Sequence, residues 1–169
     1  MNIIKLNFKK DKQSKSLSYF IKKNKKILIN ELLIKEIKKI AFKSKKNLRI
    51  NLHANPNSKF HNMIIFHWKN TYYKPHKHIL KEETCHMIKG KQKIITLDGR
   101  GKIITNQLLD DKKNIIFRIE KNTFHTSKII SKYVIFHESK PGPYLGIKDS
   151  ILPKWAQKFT KKYKQNSLL

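Results

Sequence analysis

Eight histidines are many for a chain of 169 residues, and their spacing says more than their number. In Pro75-His76-Lys77-His78 two imidazoles stand two residues apart. On an extended strand that spacing puts both rings on one face. Glu83 lies five residues beyond His78, with six residues between it and Gly90. Much later, Asn122-Thr123-Phe124-His125-Thr126 opens another apparent strand. Imidazole nitrogens with one carboxylate oxygen suit manganese, iron, nickel, copper or zinc, and three or four such ligands leave positions for water or substrate. One divalent transition metal (Fe, Mn, Zn or Ni) is therefore expected on His76, His78, Glu83 and His125. Glu82 is the rival carboxylate. Strand alternation favours Glu83, because it turns Glu82 away from a barrel interior. Cys85 shares the parity of Glu83, and a small buried thiol is its ordinary role.

A second tier of residues could complete such a site. Arg49, Asn51 and His53 alternate on a stretch that reads as a strand, so one face could present all three to a pocket. Arg49 or Arg118 could grip a substrate carboxylate or phosphate at two points. His137 and Glu138 must point to opposite faces, so at most one of them reaches the site directly. His53 and His137 are the candidate proton carriers, which makes His53, His137 and Arg49 the catalytic candidates. His61, His67 and His86 read as second-sphere or surface residues.

These residues need elements to hold them. Before residue 47, apolar positions recur at helical steps through Ile27, Leu28, Leu32, Ile37 and Ile40, and glycine and proline are absent from the first 55 residues. The spacing predicts a helix from about Ile27 to Lys43, preceded by a shorter helix or a strand, with its lysine-rich side in solvent. From Leu48 onward the pattern changes to short β-type runs: 63–68, 83–88, 93–97, 102–108, 115–119, 127–130 and 133–138. Turn signals such as Asp98-Gly99-Arg100-Gly101 divide them. Many short strands about ten residues apart predict an antiparallel sandwich or barrel. The organisation expected is a helical extension over 1–46, a β-barrel over 47–156 and a basic tail over 157–169, with Trp155 anchoring the start of that tail.

Composition narrows the partners. The formal charge is +28, from 39 basic and 11 acidic residues, yet only Arg49, Arg100 and Arg118 are arginines. Specific reading of phosphates and guanines favours the planar guanidinium fork, so a sequence-specific nucleic-acid role is not indicated. The charge should still draw in anionic small molecules. A single cysteine, Cys85, excludes an internal disulfide and fits a reducing compartment. No run approaches the roughly 18 apolar residues of a membrane span, and the N-terminal residues lack a signal-peptide core, so a cytoplasmic location is expected.

The pattern His-x-His-x4-Glu-x6-Gly from His76 to Gly90 resembles the first metal-binding motif of the cupin superfamily. His125 matches the histidine that ends the second cupin motif, although Lys121 and Thr123 stand where proline and glycine are usual. More narrowly, the chain resembles the WbuC-type cupin metalloproteins over roughly Leu48 to Ala156. That likeness is carried by Arg49-Ile50-Asn51-Leu52-His53, the Pro75-to-Gly90 block, the segment around His125, Phe136-His137-Glu138 with Gly142-Pro143, and Pro153-Lys154-Trp155-Ala156. The resemblance implies a mainly β fold, the cupin double-stranded β-helix or jelly-roll barrel, carrying the N-terminal α-helical extension. It also implies a homodimer, and a role in surface polysaccharide (O-antigen) synthesis on a sugar-like or anionic small molecule. The ligand set suits a metal-dependent isomerase or epimerase acting on a sugar or nucleotide sugar. An iron-dependent oxygenase and a non-catalytic metal- or saccharide-binding module use the same ligands.

Overall fold

In the computed structural model, which describes residues 3–14 and 16–158, the unbroken apolar runs at 63–66 and 133–136 have a simple cause. Strands β4 (Phe60–Trp68) and β10 (Tyr133–Pro141) pair antiparallel at the centre of a sheet covered on both faces. Ile64, Phe66 and Ile135 enter one core, under a helix; Met63, Ile65, Val134 and Phe136 enter another, inside the barrel. A strand buried on both sides reads as continuous, not alternating, hydrophobicity.

The helix is α2 (Glu31–Ser44). Asn30 caps it by accepting the Leu33 N–H, and Lys45 ends it in the left-handed conformation. Leu33, Ile37 and Ala41, four residues apart, form its fully buried stripe. Each large aliphatic side chain sunk there contributes roughly 1.5–3 kcal/mol. The helix begins four residues later than periodicity alone places it, because the Asn30 cap, not the apolar repeat, sets the first turn. Ahead of it come α1 (Ile3–Asn7), β1 (Phe8–Lys10) and β2 (Leu17–Ile21). The backbone N–H groups of Ile3 and Ile4 donate to the Glu36 carboxylate, which ties α1 to α2. The N-terminal extension is thus helical but also carries two strands, and β2 joins the barrel sheet by running parallel to β3 (Leu48–Asn51).

The remaining strands are β5 (Glu83–Lys89), β6 (Lys91–Leu97), β7 (Ile103–Asp110), β8 (Ile116–Ile119) and β9 (Phe124–Ile129). They complete a jelly roll of two sheets, ordered β1-β2-β3-β4-β10-β5-β8 and β7-β6-β9. The β6–β7 hairpin turns as its sequence predicts: Asp98 Oδ1 accepts the N–H groups of Arg100 (2.8 Å) and Lys102 (2.9 Å), and Gly101 takes a positive φ. The Trp155 indole donates to the Gly99 carbonyl in that turn, at 3.0 Å. The expected basic tail lies outside the described residues from position 159 onward. Among the described residues no helix is long and apolar enough to cross a membrane.

Candidate metal centre

His76 and His125 face each other across an isolated antiparallel bridge and exchange both backbone hydrogen bonds, at 3.1 and 2.8 Å. Opposite positions on a ladder share a face, so their rings meet, with centroids 4.4 Å apart. His78, two residues along, brings a third ring to within 5.1 Å of His76 and 5.7 Å of His125. One ring nitrogen from each of the three lies within 4.8 Å of the others.

The tautomers follow from the partners. Nδ1 of His76 faces the Lys74 carbonyl and Nδ1 of His125 the Thr123 carbonyl, both at 2.9 Å; Nδ1 of His78 faces the Asp149 carbonyl. A carbonyl only accepts, so each Nδ1 carries the proton, and the neutral ring keeps its lone pair on Nε2. Nε2 of His78 and of His125 is buried with no hydrogen bond among the described residues. They lie 3.3 and 3.1 Å from the two oxygens of Glu83, off the angles of a hydrogen bond. Imidazole nitrogens this close to a buried carboxylate need a proton or a metal cation between them. Three imidazole nitrogens and one carboxylate therefore fit a divalent metal by the chemistry of the donor set as well as by placement.

The charges around Glu83 agree. Burial alone would raise its carboxyl, but the Lys140 ammonium and the contacts of His125 and His78 hold it well below the usual range. Lys140 Nζ stands 3.5 Å from Glu83 and 3.0 Å from Glu138. Burial opposes the charge on Lys140, yet these two carboxylates keep its pKa above the ordinary value. His76 is pushed down to about 4 by burial and by His125 beside it, so it is neutral and able to ligate. His125 is raised: burial lowers it, but contact with Glu83 outweighs that.

These groups line a cavity of about 850 Å³ inside the barrel. Arg49 and His53 line it too, as does Asn51 between them. His53 stacks on His61 at 4.1 Å and is lowered to about 4, chiefly by burial. Cys85 lines the cavity as a buried thiol raised by burial, with the Gln92 amide 3.1 Å from its sulfur. Glu82 points outward and is half exposed, 3.8 Å from Arg118, which also pairs with Glu120. Arg118 therefore serves the outer surface.

His137 is not at the site. On β10 the inward row is Val134, Phe136, Glu138 and Lys140, so His137 points outward, 3.0 Å from Asn62 Oδ1. With His86 it lines a separate crevice of about 670 Å³ between α2 and the sheet. Glu138 and Lys140 take the place expected of it, and strand parity from Phe136 could have found them. Tyr73 was also missed. It lines the cavity, and its hydroxyl pairs with Nδ1 of half-buried His67, with no spacing to signal it.

A model for a domain of unknown function, DUF6016, matches residues 29–109, which include His76, His78 and Glu83 but not His125. No curated protein matches the sequence. Among solved structures the chain is similar to the capsular polysaccharide assembling protein CapF from Staphylococcus aureus, with a TM-score of 0.53 and 12% identity over 63% of this chain and 29% of that one. CapF with the inhibitor 3-isopropenyl-tropolone gives 0.52 and 12% over 63% and 31%. KdgF from Halomonas sp. gives 0.46 and 11% over 58% and 81%. The chain thus spans less than a third of the CapF chains it resembles. At that identity the likeness speaks for architecture alone. It shows that this chain has the cupin jelly-roll fold, and inside that barrel the chain's own His76, His78 and His125 form a cluster that could hold a metal ion.

Proposed function

We propose that the chain is a metal-dependent enzyme that isomerises or epimerises a sugar or nucleotide sugar in surface polysaccharide synthesis. The observation that carries this reading is the convergence of three imidazoles, each with Nδ1 facing a backbone carbonyl and one ring nitrogen within 4.8 Å of the others, beside Glu83 in the barrel cavity. His76, His78, His125 and Glu83 would hold the ion. Bound there, a divalent metal supplies a Lewis acid that polarises a substrate carbonyl or hydroxyl. The rest falls to the chain's own groups. Lys140 pairs with both Glu138 and Glu83, and the Glu138 carboxylate is the group placed to accept a proton within the cavity. The Tyr73 hydroxyl, braced by His67, is placed to donate one, and His53 can relay one. A saccharide substrate is favoured by the motif resemblance and by the capsular role in CapF's name.

Elemental analysis of protein purified without added metal tests the site. About one equivalent is expected in the parent and almost none in His76→Ala, with turnover of a nucleotide-sugar panel lost in parallel. Turnover retained by a metal-free His76→Ala protein would sink the mechanism. One observation favours a second reading, a non-catalytic saccharide-binding module: His137, one of two histidine bases expected from sequence, faces away from the cavity. Tight sugar binding with no conversion, in metal-replete protein, would select it.

A further inference from the structure

Among the described residues two lysine or arginine side chains line the cavity, and they are not equivalent. Lys140 is buried between Glu138 and Glu83, so its charge is spent within the protein. Arg49 is solvent-exposed where it lines the cavity and makes no hydrogen bond or ion pair among the described residues. Strand alternation accounts for its direction. Leu48 and Ile50 go into the helix-side core, which leaves Arg49 and Asn51 facing inward.

The neighbouring strand supplies a second donor. β2 runs parallel to β3 with Ser18 opposite Arg49, and Ser18 also lines the cavity. The Asn51 amide donates to Ser18 Oγ at 3.0 Å, which leaves the hydroxyl proton of Ser18 free to be given elsewhere. Acids near this lip are already engaged. Asp11 Oδ1 accepts the N–H groups of Gln13 (3.0 Å) and Ser14 (3.3 Å), and Glu138 is held by Lys140. His53 and His67 feel the charge of Arg49 and stay neutral, lowered to about 4 and about 3, chiefly by burial. What remains among the described residues is an unpaired guanidinium fork beside a hydroxyl donor, with no carboxylate paired to either.

We infer that Arg49 and Ser18 form an anion subsite, which holds the carboxylate or phosphate of an acidic saccharide in this cavity. The planar fork binds either group through two parallel N–H···O bonds, which a lysine cannot do. This inference rests on the cavity being a saccharide site and does not require that the metal be catalytic. It makes Arg49 a binding residue, distinct from the proton carriers.

Calorimetric titration of the metal-loaded full chain with D-glucuronate, glucose 1-phosphate and neutral D-glucose tests it. At least one acidic sugar is expected to bind at least tenfold more tightly than glucose, and the better of the two identifies the anion as carboxylate or phosphate. Arg49→Ala should weaken that binding by about tenfold to hundredfold with metal content unchanged. Arg49→Lys should recover only part of it. Arg100→Ala, a change of equal charge in the exposed β6–β7 turn, should leave it intact. Glucose binding as tightly as the acids would overturn the inference. So would no binding by any of the three, or equal losses in Arg49→Ala and Arg100→Ala, which would mean general attraction to a basic surface. The two failures are distinguishable. Turnover that survives metal loss sinks the enzymatic reading and leaves the Arg49 result standing; binding indifferent to Arg49 sinks the subsite and leaves the metal result standing.

Discussion

Replacing Asp149 with alanine removes the carboxylate that pairs with Lys81 Nζ where almost no water reaches. The two side chains are only 4% and 8% exposed. Lys81 would keep one partner, the Pro143 carbonyl, which cannot neutralise an ammonium. A buried charge stripped of its counterion costs about 3–5 kcal/mol. With urea slopes of about 1–3 kcal/mol per molar, the unfolding midpoint should fall by roughly 2 M. Lys81→Met should cost a similar amount, since it strands the carboxylate instead. The double variant Lys81→Met/Asp149→Leu removes both charges and should lie within about 1–2 kcal/mol of the parent. A second readout separates the metal site from bulk stability. The Asp149 backbone carbonyl takes the Nδ1–H of His78, and the 3₁₀ turn Gly146–Asp149 that carries it is pinned through Lys81. Zinc affinity, measured by competition with a chelator, should drop roughly 10–100-fold in Asp149→Ala, as for other losses of support behind a ligating histidine. The reasoning is refuted if Asp149→Ala unfolds within about 1 kcal/mol of the parent, or if the double variant loses as much as the two single variants combined.

Two further outcomes follow from single positions. Gly90 has φ +93, and a Cβ built on it would stand 2.5 Å from the Tyr133 carbonyl oxygen, a backbone atom of β10. Gly90→Ala should therefore cost about 2–5 kcal/mol in thermal denaturation, whereas Gly99→Ala, where a Cβ meets nothing within 4 Å, should change stability by less than about 0.5 kcal/mol. His67 is held at about 3 by burial, below its ordinary 6.5, so the unfolded chain takes up that proton first as pH falls. Its contribution to stability is complete above pH 6.5 and is lost as pH drops toward 3. The gap is worth at most about 5 kcal/mol. His67→Phe should flatten the loss of unfolding free energy between pH 7 and pH 4.5, and parallel curves for the two proteins would show that His67 carries no such term.

The histidine spacing was legible because a strand period needs only one strand: His76 and His78 share a face whatever lies beside them. Arg49 could be read the same way, but its solitude could not, since that depends on β2 pairing in parallel with β3, Ser18 opposite Arg49, across a long stretch of chain. The support that Asp149 gives His78 is a backbone carbonyl, and side-chain identity cannot announce it. The error at His137 has a more instructive origin. Alternation reveals which way a strand faces only when one face is apolar. On β10 both are, because α2 buries Ile135 on one side while the barrel buries Val134 and Phe136 on the other. The run Tyr133 to Phe136 therefore gave no phase from which to choose between His137 and Glu138. The cover that hides the phase also makes the site possible. With α2 closing a complete apolar core on the outside of β3, β4 and β10, the inner faces of those strands are free to carry Arg49, Asn51, His61, His67, Glu138 and Lys140. A bare sheet of this size would need its inner face apolar along its whole length. Here the helix takes over part of that burial, and the polar row at one end of the barrel is the consequence.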